Sequence, residues 1–150
     1  MSQDSQYASG VLKGLLEAIL DSAEGYEEAA ALARNPRFSS LFKERAEGRR
    51  AAAGELEAAV VALGASPVEL GSMLGDVHRV FIAIRDRFSG ASDKALVEEV
   101  ARAEGVLDGR FEAAARDERL SDDMRALVER LRNAIGADCE EIRNLKSEFQ

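Results

Sequence analysis

Histidine, tryptophan, proline and cysteine are scarce in this 150-residue chain, which has one histidine (His78), no tryptophan, two prolines and one cysteine (Cys139). A single cysteine has no partner within its own chain, so an internal disulfide is excluded, as is usual in a reducing compartment. A buried, inert thiol is the ordinary role for such a residue. Because helix-breaking prolines and bulky aromatic residues are few, the composition favours closely packed helices.

Basic residues are also in deficit, since 28 acidic residues against 20 basic ones give a formal net charge of -8. Nucleic acids and anionic lipids are bound through basic patches, so neither is an expected partner. No apolar run approaches the roughly 20 residues that span a bilayer, and no membrane insertion is expected. The residues after Met1 lack the basic start and apolar core of a signal peptide. These features predict a cytoplasmic protein.

Apolar residues recur at spacings of three and four along four stretches, which is the period of an amphipathic helix. The first predicted helix runs from about Tyr7 to Arg34 and is interrupted by Asn35-Pro36. The second runs from near Ser39 to Gly64, where a glycine followed by a nearby proline is typical of a helix end. The third and fourth begin at the capping residues Ser92 and Ser121.

A shorter amphipathic segment between residues 68 and 90 predicts a crossover helix between the second and third helices. The length suits one domain over residues 1–150, and we expect residues 1–7 to be flexible. The predicted fold is an all-α, antiparallel four-helix bundle with a long crossover carrying a short helix. An extended helical array is the alternative, but no repeat of 20 to 50 residues is evident. Gly105 and Gly109 predict close helix packing.

One charged residue interrupts an apolar stripe, because the repeat of the second helix predicts an apolar residue at position 49 and Arg49 stands there. Glu24 and Glu27 flank the stripe of the first helix, and Glu104 flanks that of the third. Asp138 and Cys139 fall between the apolar positions 135 and 142 of the fourth, so all of these residues are expected near the middle of the bundle. An unpaired buried charge is very costly. We therefore predict an inward-facing Arg49 paired with Glu24 or Glu104. The alternative is a solvated helix face, with Arg49 reaching water along its stem.

Motifs for catalysis are missing from the sequence. There is no nucleophile elbow, phosphate-binding loop or dinucleotide fingerprint, and nothing places Cys139 beside His78. We therefore predict no catalytic residues. His78 lies at the edge of the predicted crossover stripe, where a packing or hydrogen-bonding role is expected and a pH-responsive contact is the alternative.

Several short segments of the chain carry a resemblance to a known family: Glu24-Gly25-Tyr26, Phe42 through Glu55-Leu56, Leu63-Gly64, Gly75 through Arg79, Asp93-Lys94-Ala95 and Glu104-Gly105. They resemble a bacterial ferritin-like four-helix-bundle family of unknown function. The resemblance covers about residues 9 to 147 and implies a ferritin-like bundle, distantly similar to the rubrerythrins. Its distinctive part is a Gly-x-x-His-Arg motif in the crossover, followed by Gly-x-x-Asp-Lys-Ala.

This resemblance implies that Glu24 and Glu104 match the metal-binding carboxylates of the first and third helices of rubrerythrin-like proteins. The Glu-x-x-His pair of the second helix is replaced by Arg49 and Ala52. In the fourth helix, Glu140 or Glu141 is likewise followed three residues later by a residue other than histidine. We therefore predict no di-iron centre and no cofactor. A carboxylate-dominated Fe or Mn site that uses Glu24, Glu27 and Glu104 is the alternative.

Two function classes follow from these observations. The first is a non-catalytic bundle protein that self-associates or binds a protein partner, with the di-metal site lost. Val11, Leu15 and Leu20, which lie off the main stripe of the first helix, suggest a second buried face and hence a homodimer. The second class is a metal-binding oxidoreductase or metal-storage protein that uses Fe or Mn.

Overall fold

Four α-helices form the described part of the chain in this computed structural model, which describes residues 3–66, 70 and 92–149. Over these ranges there is no strand, so the all-α prediction is confirmed for them. None of the described helices has both the length and the apolar character needed to cross a membrane. The predicted crossover helix and His78 lie outside the described residues. The helices are α1 (Gln3–Leu32), α2 (Pro36–Ala62), α3 (Asp93–Ala115) and α4 (Asp122–Ser147).

Both ends of α2 are set by residues with special backbone roles. The Asn35 side chain accepts a hydrogen bond from the backbone N–H of Arg37, and Pro36 occupies the first turn, where its missing N–H costs nothing. The prediction that this helix begins near Ser39 was therefore three residues late. At the other end, Gly64 has a positive φ of 101° and stops the helix in a left-handed cap, as its sequence predicted.

The starts of α3 and α4 confirm the predicted serine caps. The Ser92 side chain accepts from the Ala95 N–H, and the Ser121 side chain accepts from the Met124 N–H. Each serine thus satisfies one backbone donor that has no partner inside its helix. The start of α1 differs from the expectation, because the helix already includes Gln3.

The helices pack in a pattern consistent with a four-helix bundle. The largest contacts join α1 to α2 and α3 to α4, and a smaller interface joins α1 to α3. Ion pairs connect α2 to α4: Arg37 pairs with Glu148 near one end, and Glu55 pairs with Arg130 at 3.0 Å near the other. Each helix therefore has a neighbour on two sides.

Two separate groups of buried apolar side chains make up the core. The larger apolar cluster joins all four helices and includes Leu12, Leu16, Leu56, Phe111 and Val128. The smaller apolar cluster also joins all four helices, and it includes Tyr26, Phe42, Val97, Ile142 and Leu145.

The second buried face of α1 is covered within a single chain. Leu15 and Leu20 are only 4% and 7% exposed and belong to the larger apolar cluster, together with Leu70, while Val11 packs against that cluster. These residues therefore do not form the exposed dimer face on which the homodimer prediction relied.

The prediction that Gly105 and Gly109 allow close helix packing was wrong. A β-carbon added at either position would have no described neighbour within 4 Å, and the same is true at Gly25 and Gly54. Since no described helix touches these positions, packing among the described helices does not require a glycine there.

Candidate functional site

A layer of polar side chains separates the two apolar clusters. On every helix, one residue of this layer lies in sequence between the residues that the helix contributes to the larger cluster and those that it contributes to the smaller one. The layer therefore crosses the bundle near its middle. We call the following residues the central polar layer: Ser22 of α1, Arg45 and Arg49 of α2, Glu104 of α3 and Asp138 of α4.

Helix periodicity places Arg49 in the core. The buried residues of α2 around it are Ala46 and Ala53, three and four positions away, so all three lie on one face. Glu104 occupies the corresponding face of α3, three positions before buried Leu107. Arg49 and Glu104 are each only 2% exposed. The same spacing that buries apolar side chains elsewhere therefore buries two opposite charges here.

Arg49 and Glu104 form a two-pronged ion pair. The distance from Arg49 Nη1 to Glu104 Oε1 is 2.6 Å, and the distance from Nη2 to Oε2 is also 2.6 Å. Two parallel charge-assisted bonds of this kind are stronger and more directional than a single contact. Both carboxylate oxygens of Glu104 are therefore engaged by the same guanidinium.

The Arg49 guanidinium also reaches the two remaining helices. Nη1 donates to Ser22 Oγ at 2.7 Å, and Nη2 donates to Asp138 Oδ2 at 3.1 Å. With Glu104, these acceptors come from α1, α3 and α4, while Arg49 itself lies on α2. One side chain thus links all four helices at the same level of the bundle.

A second arginine extends the central polar layer towards the surface. Arg45, one helical turn before Arg49, donates to the Asp138 carboxylate and, at 3.0 Å, to Glu141. The side chain of Arg45 is 12% exposed and that of Glu141 is 57% exposed. Asp138 therefore accepts from two arginines, and the network runs from the core to solvent on the α2–α4 side.

Burial and pairing act in opposite directions on the Arg49 guanidinium. Burial lowers its pKa because it disfavours the charged form, but hydrogen bonds and the negative charge of Glu104 more than offset this, and the net pKa is raised. The Arg49 guanidinium carbon lies 5.3 Å from the centre of the Tyr26 ring. Burial and then the Glu104 charge raise the pKa of Tyr26, so the phenol stays neutral.

Cys139 lies beside this layer and is 4% exposed. Burial raises the pKa of its thiol to about 11, and the negative charges of Glu104 and Asp108 contribute further. The nucleophilic form of cysteine is the thiolate, so a raised pKa makes this side chain unreactive at neutral pH.

The carboxylates predicted as candidate metal ligands form ion pairs with two different arginines. Glu104 contacts Arg49, whereas Glu27 accepts from Arg50 Nε at 3.0 Å and Glu24 Oε1 lies 4.0 Å from Arg50 Nη2. The Arg50 side chain is 42% exposed, so this second group lies at the surface. Of the two partners considered for Arg49, the structure brings Glu104 into contact and places Glu24 beside Arg50.

Three members of the central polar layer were not identified as partners from the sequence. Ser22 gave no signal, because a serine on an alanine-rich helix is ordinary. Asp138 does fall between the buried residues Ile135 and Ile142, and Arg45 precedes Arg49 by one turn. The sequence thus placed Asp138 near the middle of the bundle without naming it as a partner of Arg49, and the spacing of Arg45 could have been read in the same way.

The described residues do not bring together a set of metal ligands. Across residues 3–66, 70 and 92–149, no three His, Cys, Asp or Glu side chains form a group that could hold a metal ion. Glu104 and Asp138 do share a neighbour, because the Arg49 guanidinium donates to both of them.

The chain belongs to a protein family defined by a domain of unknown function, DUF2383, whose model matches residues 7–117. The match includes Ser22, Arg49 and Glu104, while Asp138 and Cys139 lie beyond it. No match to a curated protein was found.

Proposed function

We propose that this chain is a non-catalytic, ferritin-like bundle protein in which a buried ion pair takes the central position that a di-metal centre holds in metal-binding bundles. The observation that carries this proposal is the two-pronged contact between Arg49 and Glu104 at 2.6 Å, with both side chains 3% exposed. A contact that joins the helices through fixed charges supplies the cross-linking that metal ligands supply elsewhere.

The contacts between α2 and α4 support an antiparallel arrangement within this proposed fold. Arg37 at the start of α2 pairs with Glu148 after the end of α4, and Glu55 near the end of α2 pairs with Arg130 near the start of α4. The three-residue link 33–35 likewise supports an antiparallel α1–α2 pair. The distant rubrerythrin relationship rests on the sequence motifs.

The ion pair and a metal ion would compete for the same place. The Arg49 guanidinium is always charged and repels a divalent cation, and both Glu104 oxygens already accept from it. The metal-binding alternative therefore requires that Arg49 leave its buried position and lose its hydrogen bonds to Ser22, Glu104 and Asp138. This competition favours the metal-free class over an Fe or Mn enzyme or storage protein.

Metal analysis tests this proposal. The protein is purified from cells supplemented with Fe and Mn, and its metal content is measured beside that of Glu104→Gln and of Glu57→Gln, an exposed carboxylate on α2 that serves as a matched control. We expect far less than one metal ion per chain in all three proteins. Stoichiometric metal that is lost in Glu104→Gln and kept in Glu57→Gln would overturn the proposal.

We propose that the bundle acts by contact and that it self-associates as a homodimer or binds a protein partner. Among the described residues, the large apolar side chains left exposed are Val61 and Val106, at 53% and 56%. Light scattering at rising concentration tests the homodimer. A mass that doubles supports it, and a monomer at high concentration contradicts it.

The same proposal treats residues 1–150 as one domain of a cytoplasmic protein. The buried free thiol of Cys139 supports a reducing compartment, since it forms no disulfide. Cell fractionation with an antibody against the chain tests the location, and recovery outside the cytoplasm would contradict it.

A further inference from the structure

A groove of about 220 Å³ lies along the interface between α1 and α3, which is smaller than the α1–α2 and α3–α4 interfaces. Its lining positions recur at spacings of three and four, so the groove follows one face of each helix. Many side chains in its apolar walls are small, which leaves room for larger side chains from a third element. The small wall residues include Ala18, Gly25, Ala29 and Ala103.

Several carboxylates beside the groove already have partners. Glu104 is bonded to Arg49, and Glu99 accepts from Arg102 Nε at 2.9 Å. Glu28, which is 6% exposed, also interacts with another group. The walls therefore offer mainly apolar surface, and an occupant gains more from apolar side chains than from charge.

The two ends of the groove lie beside the two ends of a segment outside the described residues. At one end Leu70, which is 7% exposed, belongs to the larger apolar cluster together with the groove residue Leu107. At the other end the Asp93 carboxylate accepts from the backbone N–H groups of Arg34 and Asn35, at 2.8 and 2.9 Å. The segment 71–91 therefore starts beside one end of the groove and joins α3 beside the other.

This segment has to cross most of the length of the bundle. The helix α2 begins at the link that Asp93 contacts and ends shortly before Leu70, and its 27 residues measure about 40 Å at 1.5 Å per residue. Residues 71–91 reach about 32 Å as a helix and about 70 Å when fully extended. A course along one face of the bundle fits this reach.

The sequence of the segment favours the α1–α3 face over the α2–α4 face. The α2–α4 face is crossed by ion pairs between Arg37 and Glu148, Arg45 and Glu141, and Glu55 and Arg130. An apolar segment laid over these pairs would remove charges from water without giving them new partners. Within the segment, apolar residues recur at helical spacing, which suits an apolar groove. They are Leu74, Val77, Phe81, Ile84 and Phe88.

We propose that residues 71–91 lie along the α1–α3 groove, with the apolar side of the segment against both helices. Large side chains such as Phe81 then face the small side chains of the walls, and this pairing of large with small residues fills space at the density of a protein core. The opposite side of the segment, which carries Asp76, Arg79, Asp86 and Arg87, faces water. The proposal goes beyond the function proposed above, and it means that a homodimer uses a surface other than this groove.

Distances between pairs of spin labels, measured by pulsed EPR, test the proposal in the full chain with Cys139→Ala. One label is attached at Ala83→Cys, on the charged side of the segment. The other is attached at Gly105→Cys on α3 or at Gly48→Cys on α2, which are exposed positions next to Glu104 and Arg49 with room for a side chain.

We expect the 83–105 distance to be shorter than the 83–48 distance by at least about 10 Å, the diameter of one helix. The reason is that Gly48 lies one turn after Arg45, which faces α4 on the far side of the bundle from the groove. Equal distances, or the reverse order, would overturn the proposal.

A second copy of the chain is the competing occupant of the groove. A sample labelled only at Gly105→Cys measures this occupant, because two copies packed groove to groove bring their labels together. A 105–105 distance as short as the 83–105 distance, lost on dilution with unlabelled protein, would contradict the proposal. We expect the 83–105 distance to survive that dilution, whether or not the chain forms a dimer through another surface.

Variants on both sides of the contact complete the test. Phe81→Asp places a charge on the apolar side of the segment, and Arg87→Asp places one on the charged side. Gly25→Leu fills the groove from a position with no described neighbour within 4 Å, and Gly54→Leu makes the same change on α2 outside it. We expect Phe81→Asp and Gly25→Leu to lengthen and broaden the 83–105 distance, and the two controls to leave it unchanged, with all variants folded by circular dichroism. An unchanged distance in folded Gly25→Leu would contradict the proposal.

Discussion

The larger apolar cluster and the central polar layer are neighbours along the same four helices, and both the cluster and the Arg49–Glu104 pair of the layer are almost fully buried. Leu12, Leu56 and Phe111 in the cluster are inaccessible to solvent, and Arg49 and Glu104 in the layer are each 2% exposed. Hydrocarbon side chains pack in many combinations at similar cost, provided that volume is kept. A buried guanidinium requires a particular set of acceptors in a particular geometry. The cluster and the Arg49–Glu104 pair are therefore equally buried but tolerate substitution to very different extents.

This difference gives the two regions different structural roles. The cluster supplies most of the favourable free energy of folding, because that term grows with the apolar area removed from water. The layer adds little net free energy, because the desolvation of its charges offsets their attraction. It does favour one axial alignment of the helices, since only that alignment brings Ser22, Glu104 and Asp138 around Arg49.

The largest expected effect is that of Arg49→Leu. This change leaves Glu104 as an uncompensated buried charge, and we expect a loss of about 3–5 kcal/mol in the free energy of unfolding, measured by urea denaturation. Arg50→Leu on the same helix is the control, since that side chain is 42% exposed, and we expect it to cost less than about 1 kcal/mol. Similar losses in the two variants would show that the layer is not energetically distinct from the surface.

Leu56→Ala in the larger apolar cluster should lower the free energy of unfolding by about 2–5 kcal/mol, because it removes a fully buried side chain and leaves a cavity.

Conservative substitutions compare the tolerance of the cluster with that of the central polar layer. Leu56→Met keeps the volume and should cost less than about 1.5 kcal/mol. Arg49→Lys keeps the charge but loses the two-pronged geometry, and should cost more than Leu56→Met. The reverse order in thermal denaturation would contradict the contrast drawn between the regions.

Cys139 should react with a thiol reagent at pH 8 only when the protein unfolds. Its pKa of about 11 lies above the value of about 8.5 for an exposed thiol, so the thiolate is rare in the folded chain. Because the folded pKa is the higher one, the neutral thiol stabilises the fold at low pH. This contribution is lost as the pH rises through the unfolded pKa towards the folded one. Equal reaction rates in buffer and in denaturing urea would refute this.

Glu148→Gln should have the smallest effect. Its partner Arg37 and Glu148 itself are 59% and 52% exposed, and ion pairs of this kind contribute about 0–1 kcal/mol. We expect a change in melting temperature that disappears at high salt, because ions screen exposed charges. A loss as large as that of Arg49→Leu would place the critical ion pair at the end of the bundle instead of its middle.

The all-α class and the helix caps at Ser92 and Ser121 could be predicted from the sequence, because periodicity and capping are local properties. The inward position of Arg49 followed from the same periodicity. The start of α2 was misplaced because Pro36 was read as an interruption, whereas a proline in the first turn is compatible with a helix.

The partner of Arg49 could not be selected from the sequence alone. Glu24 and Glu104 both flank apolar stripes, and the choice between them depends on the rotation of α1 and α3 about their axes. That rotation turns Glu24 towards Arg50 and brings Ser22 to the guanidinium. The burial of Leu20 against other parts of the same chain also depends on tertiary packing, so the sequence could not separate it from a dimer face.

A double-mutant cycle on Arg49 and Glu104 tests the central claim most directly. The free energy of unfolding is measured for the unmodified chain, Arg49→Leu, Glu104→Leu and the double variant. If the two side chains form one buried unit, the double variant is more stable than either single variant, because it leaves no buried charge without its partner. A double variant whose loss equals the sum of the two single losses would contradict the account.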